Sequence, residues 1–194
     1  CPTTIARFLP SLGQYIYSRS ADGLWVNLFV ASDATTPLGA GKVTVRQTTK
    51  YPWDGDVTIA VEPDAPREFT LHVRLPAWAS NPTIRVNAAP VSPEVSRGYA
   101  AIRRQWKKGD TVQLSLPMEV QRLAAHPKVI HSQGKIALRR GPMIYAFEQA
   151  DNAAAVDSVA LPRSATFKTQ FDPGLAGGVV KVTTEGLTHK AADW

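Results

Sequence analysis

The sequence has 194 residues, of which 44% are hydrophobic and 20% charged, with a single cysteine. The apolar fraction is too high for a disordered chain, and the length permits a substantial buried core. One cysteine excludes an intramolecular disulfide framework and a zinc site built only from cysteines of this chain. No apolar run is long enough to span a membrane, so we expect a soluble globular chain without membrane contacts.

The net charge of +6, from 22 Lys and Arg against 16 Asp and Glu, raises the question of nucleic-acid binding. The basic residues are scattered, and only three adjacent pairs cluster, none within a recognisable nucleic-acid motif. These pairs are Arg103-Arg104, Lys107-Lys108 and Arg139-Arg140. We interpret them as solvated positions and expect no nucleic-acid partner.

The N-terminal residues have the spacing of an amphipathic helix. Pro10 should kink this helix, because proline lacks a backbone donor, and Thr3 or Thr4 could cap its start. A lone helix of this length is marginal in water, so its apolar face needs a partner. That face is formed by Ile5, Phe8, Leu9, Leu12 and Ile16.

From Gly23 onward the hydrophobic period changes from helical to alternating. Short alternating segments separated by turn signals are typical of antiparallel sandwiches and barrels. The Asp54-Gly55 pair predicts a tight hairpin between two such segments. We therefore predict a mainly β fold, an antiparallel β-sandwich region preceded by one N-terminal α-helix. The predicted strands are 24–30, 42–48, 56–62, 69–75, 83–86, 100–105, 111–117, 135–138, 143–147 and 179–184.

The β region offers few candidates for catalysis. His126 and His131 form the one close histidine pair, and on a shared strand their odd separation would place them on opposite faces. His72 lies in a predicted strand of its own. Asp54 and Asp56 could be the two carboxylates of a glycosidase, but aspartates flanking a glycine more commonly form a turn. We favour the turn interpretation.

Several aromatic side chains could either stack on sugar rings or fill the core of a sandwich. We favour the core, and keep a non-catalytic carbohydrate-binding β-sandwich module as the alternative function. The residues concerned are Trp25, Trp53, Trp78, Trp106, Tyr51 and Tyr99.

Cys1 has the clearest chemical potential in the sequence. It precedes Pro2 at the start of the predicted helix, where the helix dipole and free amide groups favour a thiolate. Thiolates are nucleophiles and zinc ligands.

Short motifs follow one another in a specific order as far as residue 151: Cys1–Arg7, Ser11–Ser18, Gly23–Phe29, Tyr51–Gly55, Leu75–Ala79, Trp106–Asp110, Leu116–Met118 and Arg140–Tyr145. Together they resemble glycoside hydrolase family 127, the β-L-arabinofuranosidase-like proteins. Thr4, where the motif has Asn, and Pro10 depart from the family pattern.

The resemblance implies a parent enzyme with an (α/α)6-barrel catalytic domain followed by β-sandwich domains. Residues 1–20 would be the last helix of a truncated barrel, and residues 21–150 the β-sandwich domain. Residues 151–194 would be an irregular connection and the start of a further β segment. The implied activity is that of a bacterial retaining glycoside hydrolase that releases terminal L-arabinofuranose from plant glycans. The chain itself would be structural and inactive.

The resemblance also implies a zinc ion held by a glutamate and three cysteines, two of them adjacent in a Cys-Cys-Pro sequence. Matching Cys1 to the cysteine before proline makes it a zinc ligand and places the nucleophile just before residue 1. The reverse assignment of the adjacent pair stays open. On either assignment the chain holds at most one zinc ligand, and the carbohydrate substrate binds the catalytic domain.

The β-sandwich would then bury one flank of the barrel or form a homodimer interface. Cytoplasmic and periplasmic locations both stay open, because a signal peptide would lie upstream of Cys1.

Overall fold

The computed structural model describes residues 1–188, which form two compact units, one ending at Met118 and one beginning at Glu119. None of the helices among these residues is long and apolar enough to cross a membrane. The fold is mainly β, with sheets built almost entirely from antiparallel pairs and helical residues at the N-terminus, which confirms the predicted fold class. The predicted boundaries at residues 20 and 150 stay predictions.

The first unit contains two helical segments and eleven strands. Their bounds are α1 Pro2–Ser11, α2 Gly13–Ile16, β1 Tyr17–Arg19, β2 Gly23–Val26, β3 Ser32–Leu38, β4 Gly41–Thr49, β5 Asp56–Pro63, β6 Arg67–Arg74, β7 Thr83–Val86, β8 Ala89–Val91, β9 Glu94–Ser96, β10 Tyr99–Trp106 and β11 Asp110–Ser115.

The N-terminal helix starts two or three residues earlier than a cap at Thr3 or Thr4 would require. Cys1 is the N-cap residue, and its carbonyl accepts the N–H groups of Thr4 and Ile5 at 3.1 and 3.3 Å. The capping role predicted for Thr3 or Thr4 is therefore wrong, because Pro2 already occupies the first helical position, where a missing N–H costs nothing. Helix α1 ends one residue after Pro10, at the predicted interruption.

Two sheets form the sandwich. One has the strand order β1-β2-β6-β10-β9 and the other the order β3-β4-β5-β11-β7-β8. Along each central strand buried and exposed side chains alternate, so that inward residues of both sheets share a single core. Trp106 is the largest fully buried side chain, and its indole N–H donates to the carbonyl of Phe69 at 3.0 Å.

Strands β2 and β6 pair in parallel, with Trp25 opposite His72 and Leu24 opposite Leu71. The first of these pairs lies on the outer face of the sheet, since the neighbouring Leu24 and Leu71 are buried in the core. Parallel pairing brings together segments separated by forty-odd residues, and that separation hides the contact from local sequence patterns.

Gly55 is required for a reason other than the predicted tight hairpin. The connection between β4 and β5 is a longer loop, so the hairpin prediction is wrong in its length. A Cβ atom at Gly55 would lie 1.9 Å from the carbonyl oxygen of Leu116, whose N–H donates to the carbonyl of Gly55 at 3.0 Å. The glycine thus permits a close backbone approach between two segments.

Several strands were missed because they lie at sheet edges. Strand β3 is polar and contains Pro37, and proline is tolerated in a sheet mainly at an edge. Strands β1, β8 and β9 have only three residues each and show no alternation. Hydrophobic period is therefore informative only where a strand buries one face.

The second unit contains a three-stranded sheet and two two-stranded antiparallel pairs, β15 with β18 and β16 with β17. Arg122 anchors a loop by donating to the carbonyls of Pro162 and Ala165 at 2.6 and 3.1 Å, and its guanidinium lies 5.3 Å from the ring centroid of Phe167. The strands are β12 Val120–Ala124, β13 Ile136–Arg140, β14 Met143–Tyr145, β15 Val159–Ala160, β16 Lys168–Asp172, β17 Val179–Thr183 and β18 Leu187–Thr188, with 3-10 turns at Ile130–Ser132, Gln149–Asp151 and Val156–Ser158.

Asp110 is a buried carboxylate that joins two turns of the sandwich. It is 1% exposed, and accepts hydrogen bonds from Asn87 Nδ2 at 2.8 Å and from the Lys107 N–H at 3.0 Å. Burial alone would raise its pKa, but these hydrogen bonds, with Arg104 Nη2 at 3.9 Å, hold the pKa of Asp110 below its usual value.

We expect Asp110→Asn to lower the free energy of unfolding by about 1–3 kcal/mol at pH 7, because an amide leaves a buried donor unpaired. Since the folded-state pKa is lowered, the stabilisation is present above the unfolded-state pKa and disappears as the pH falls through the folded-state value. Urea unfolding at pH 7 and at low pH measures both effects. Asp33→Asn, in an exposed ion pair with Arg46, is the control and should change stability by less than about 1 kcal/mol. An equal effect of both variants would contradict this account.

Candidate functional site

Cys1 lies at the N-terminus of α1 and is an exposed free thiol. Its Sγ atom is 3.2 Å from the hydroxyl oxygen of Thr3. The N–H groups of the first helical turn and the helix dipole together favour negative charge at this position. The thiol is therefore placed where a thiolate would be stabilised and where a ligand could reach it.

The apolar face predicted for the N-terminal helix is exposed. Ile5, Phe8 and Leu9 are 57%, 50% and 58% exposed, and α1 has no buried residue. Beyond the helix, the Ile16 carbonyl accepts the Asn27 N–H at 2.9 Å, which ties the end of α2 to the sandwich. The helical segment is thus joined to the sheet at its C-terminal end, while its apolar stripe contacts no core.

The two aspartates considered as a carboxylate pair have structural roles. Asp54 Oδ1 accepts the backbone N–H of Asp56 at 3.0 Å, which is the local turn bond expected of such a residue. Asp56 Oδ1 accepts the hydroxyl of Ser115 at 2.7 Å. The turn interpretation is therefore consistent with the geometry of both side chains.

His72 lies on strand β6, whereas His126 and His131 belong to the second unit. His126 and His131 lie outside the strands, so the argument from strand faces does not apply to them. His126 Nδ1 accepts the Lys128 N–H at 3.2 Å, and His131 lies in a short 3-10 turn. Among residues 1–188, no three His, Cys, Asp or Glu side chains gather in a way that could hold a metal ion.

Three of the six candidate aromatic residues belong to the core or pack against it, as favoured from the sequence. Trp106 is fully buried, and Tyr51 and Trp78 pack against the core cluster. The ring of Tyr51 meets Phe29 edge-on, with the ring centroids 5.5 Å apart. Tyr99 instead uses its hydroxyl, which donates to Asn27 Oδ1 at 2.9 Å. These contacts leave few of the candidate aromatic side chains free to stack on a sugar ring.

Trp25 is the exception, because it lies on the outer face and stacks on His72. The ring centroids are 4.1 Å apart and the planes differ by 5°. Partial burial lowers the pKa of His72, against a smaller opposing effect from the negative charge of Asp22. Sequence reasoning placed both residues in strands but missed their contact, since only the parallel register of β2 and β6 reveals it.

Family comparison accounts for most of the chain. The profile described as the GH127 middle domain of β-L-arabinofuranosidase matches residues 23–118, and that of the glycoside hydrolase family 127 C-terminal domain matches residues 120–181. The chain belongs to glycoside hydrolase family 127. The boundary between the matched domains coincides with the boundary between the two compact units.

Individual relatives agree with this assignment. The chain is 31% identical to a non-reducing end β-L-arabinofuranosidase from Bifidobacterium longum, over 98% of this chain and 30% of the relative. A crystal structure of a GH127 β-L-arabinofuranosidase from Geobacillus stearothermophilus T6 is 42% identical, with a TM-score of 0.92, over 95% of this chain and 29% of that protein. A further GH127 β-arabinofuranosidase structure is 32% identical with the same TM-score of 0.92, over 97% of this chain and 32% of that protein. This family 127 chain thus spans about a third of the length of these relatives.

The His72–Trp25 stack gives a pH-dependent stability that can be measured. Because the folded-state pKa of His72 is lowered, its neutral form is favoured by folding. The associated stability is present above the unfolded-state pKa and is lost as the pH falls towards the folded-state value. We expect His72→Phe, which keeps a stacking ring without a titrating group, to make the unfolding midpoint less sensitive to pH between about 7 and 5. Thermal unfolding of the wild type and His72→Phe across this pH range tests the prediction. An identical pH dependence of the two unfolding midpoints would contradict it.

Proposed function

We propose that this chain is the β-rich accessory part of a family 127 β-L-arabinofuranosidase and packs against a helical catalytic domain that carries out the hydrolysis. The observation that carries the proposal is the exposed apolar stripe of α1, in a chain whose relatives are about three times longer. Residues 1–22 precede the matched middle domain, and in this proposal they adjoin the catalytic domain. Burial of such a stripe is the usual source of stability for a short amphipathic helix.

The substrate proposed for the whole enzyme is a terminal β-L-arabinofuranoside of a plant glycan, hydrolysed with retention of configuration. Support comes from the Bifidobacterium relative, which is described as acting at the non-reducing end. In the same proposal the chain contributes no nucleophile and no general acid. Its contribution to activity is to fix the position of α1, and hence of Cys1, relative to the catalytic domain.

Cys1 is the residue of this chain proposed to serve the zinc site of the whole enzyme. Its exposed thiol at a helix N-terminus fits the role of one thiolate ligand, and no group of three or more His, Cys, Asp or Glu side chains that the structure describes could hold the ion by itself. Zinc, when bound, would hold cysteine sulfur as thiolate at neutral pH. Within the chain, the dipole of α1 favours the same charge state, and the hydroxyl of Thr3 lies 3.2 Å from the sulfur.

The carbohydrate-binding module is less well supported as the function of the whole chain. Half of its proposed aromatic platforms are used within the core, as the burial of Trp106 and the packing of Tyr51 and Trp78 indicate. An accessory structural role requires only the buried sandwich and the exposed stripe. Both are features of this chain.

We expect the 194-residue chain to hydrolyse no aryl β-L-arabinofuranoside, with or without added zinc, while the Bifidobacterium relative does so in the same assay. A longer polypeptide that adds the catalytic domain of the same reading frame should be active. In that protein Cys1→Ser should lower kcat by at least about 100-fold, because a metal ligand is lost. Ser11→Ala, at the other end of the same helix, is the matched control and should leave kcat unchanged.

Turnover by the 194-residue chain alone would show that the catalytic groups lie within it and would contradict the proposal. An active longer protein that is indifferent to Cys1→Ser would remove the role assigned to this cysteine.

A further inference from the structure

The outer face of the sheet that contains β2 and β6 carries an aromatic pair that the core does not use. Trp25 and His72 are directly opposite each other on these strands, and their rings are stacked with centroids 4.1 Å apart. Stacking fixes both rings relative to the sheet, so the pair forms a rigid surface whose ordering requires no further loss of side-chain freedom.

Both rings keep unused polar atoms. Within residues 1–188, no hydrogen bond reaches the indole N–H of Trp25 or either ring nitrogen of His72, and neither residue has a further polar partner. The other tryptophans in this part of the chain are engaged: Trp106 donates to the Phe69 carbonyl, and Trp53 and Trp78 have contacts of their own. Trp25 therefore combines an apolar ring with a donor that is available to a ligand.

Small side chains lie directly opposite the pair on the two flanking strands, β1 and β10. Ser18 lies opposite Trp25 on β1, and Ala101 lies opposite His72 on β10. Gly23 precedes Trp25 on the same face, and a Cβ atom there would lie 2.9 Å from the indole ring. The indole of Trp25 thus lies over Gly23 itself, while the small side chains of Ser18 and Ala101 leave the pair without bulky neighbours directly opposite it on β1 and β10.

The charged groups near the pair carry both signs. Arg103 lies opposite Thr70, two residues from His72, and donates to Glu68 Oε1 from Nε and Nη2 at 3.1 and 2.7 Å. Asp22 acts electrostatically on His72. Arg74, two residues from His72 on β6, is a second cation. Two cations and two carboxylates around the pair cancel in charge, so this arrangement favours a neutral ligand over a phosphate or an acidic polymer.

We propose that Trp25 and His72 form a binding platform for a neutral glycan chain. A sugar ring presents a C–H face that packs on an aromatic ring, and hydroxyl groups that both donate and accept hydrogen bonds. The indole N–H donates to one hydroxyl, and the unprotonated nitrogen of His72 accepts from another. The inference goes beyond the proposed function, since it concerns the binding of a polymer by this chain without turnover.

The test is isothermal titration calorimetry of the 194-residue chain with three neutral polysaccharides: linear arabinan, arabinogalactan and xyloglucan. We expect millimolar-range binding to at least one of them, and none to polygalacturonate, which is anionic. Trp25→Ala and His72→Ala should each weaken binding by about tenfold or more. Trp25→Phe, which keeps a ring but loses the N–H donor, should weaken it by a smaller factor, about two- to tenfold.

Phe171→Ala is the matched control, since Phe171 is an aromatic residue that is 54% exposed in the second unit, and it should leave binding unchanged. Circular dichroism of each variant shows whether the sandwich is retained, and Trp25→Phe provides a mild variant should Trp25→Ala fail to fold. The proposal is overturned if the chain binds none of the three polysaccharides. It is also overturned if Trp25→Phe and His72→Ala both bind with the affinity of the wild type. Either result would leave the proposed enzyme standing, because its test depends on Cys1 and on turnover.

Discussion

Successive side chains of a strand point to opposite faces of its sheet, and the inward side chains of the two sheets fill one core. This packing therefore determines which side chains face outward. Leu24 and Val26 face inward on β2, so Trp25 between them must face outward. A slip of one residue would bury the indole and expose both aliphatic side chains, which the core does not permit. The outer-face stack of Trp25 on His72 is thus a consequence of core packing and of the parallel register of β2 with β6.

The N-terminal helix obeys a different constraint, because nothing in its own unit buries its apolar face. Its C-terminal end is attached to the sandwich through the bond between Ile16 and Asn27, while Phe8 and Leu9 are half or more exposed. A sandwich that holds such a helix would present both its apolar stripe and the thiol of Cys1 to the catalytic domain proposed above. This geometry links the accessory role proposed for the chain to the single residue proposed to serve the zinc site.

Central strands could be predicted from the sequence, whereas edges and long-range contacts could not. The bounds predicted for the strand Thr83–Val86 agree with the structure because its alternation reflects burial of one face. Strand β3 escaped prediction because an edge strand with Pro37 is polar. The boundary between the two compact units after Met118 has no signal in the sequence, since short strands separated by turn residues continue on both sides of it. Gly55 resembled a turn glycine, and its close approach to Leu116 depends on tertiary structure. Cys1 could be identified from the sequence as a candidate zinc ligand because of its motif and its position before a helix.

The central claim is that α1 packs on a domain outside this chain. It is tested most directly by measuring the effect of the same double substitution on the stability of two proteins. Phe8→Gln with Leu9→Gln should change the free energy of unfolding of the 194-residue chain by less than about 0.5 kcal/mol, since both side chains are exposed. In the longer polypeptide with the helical domain, the same double substitution should cost about 2–5 kcal/mol or more, as for buried side chains elsewhere. Leu71→Ala, in the sandwich core, should be costly in both and calibrates the measurement. An equally small cost of the helix substitutions in the two proteins would contradict the account.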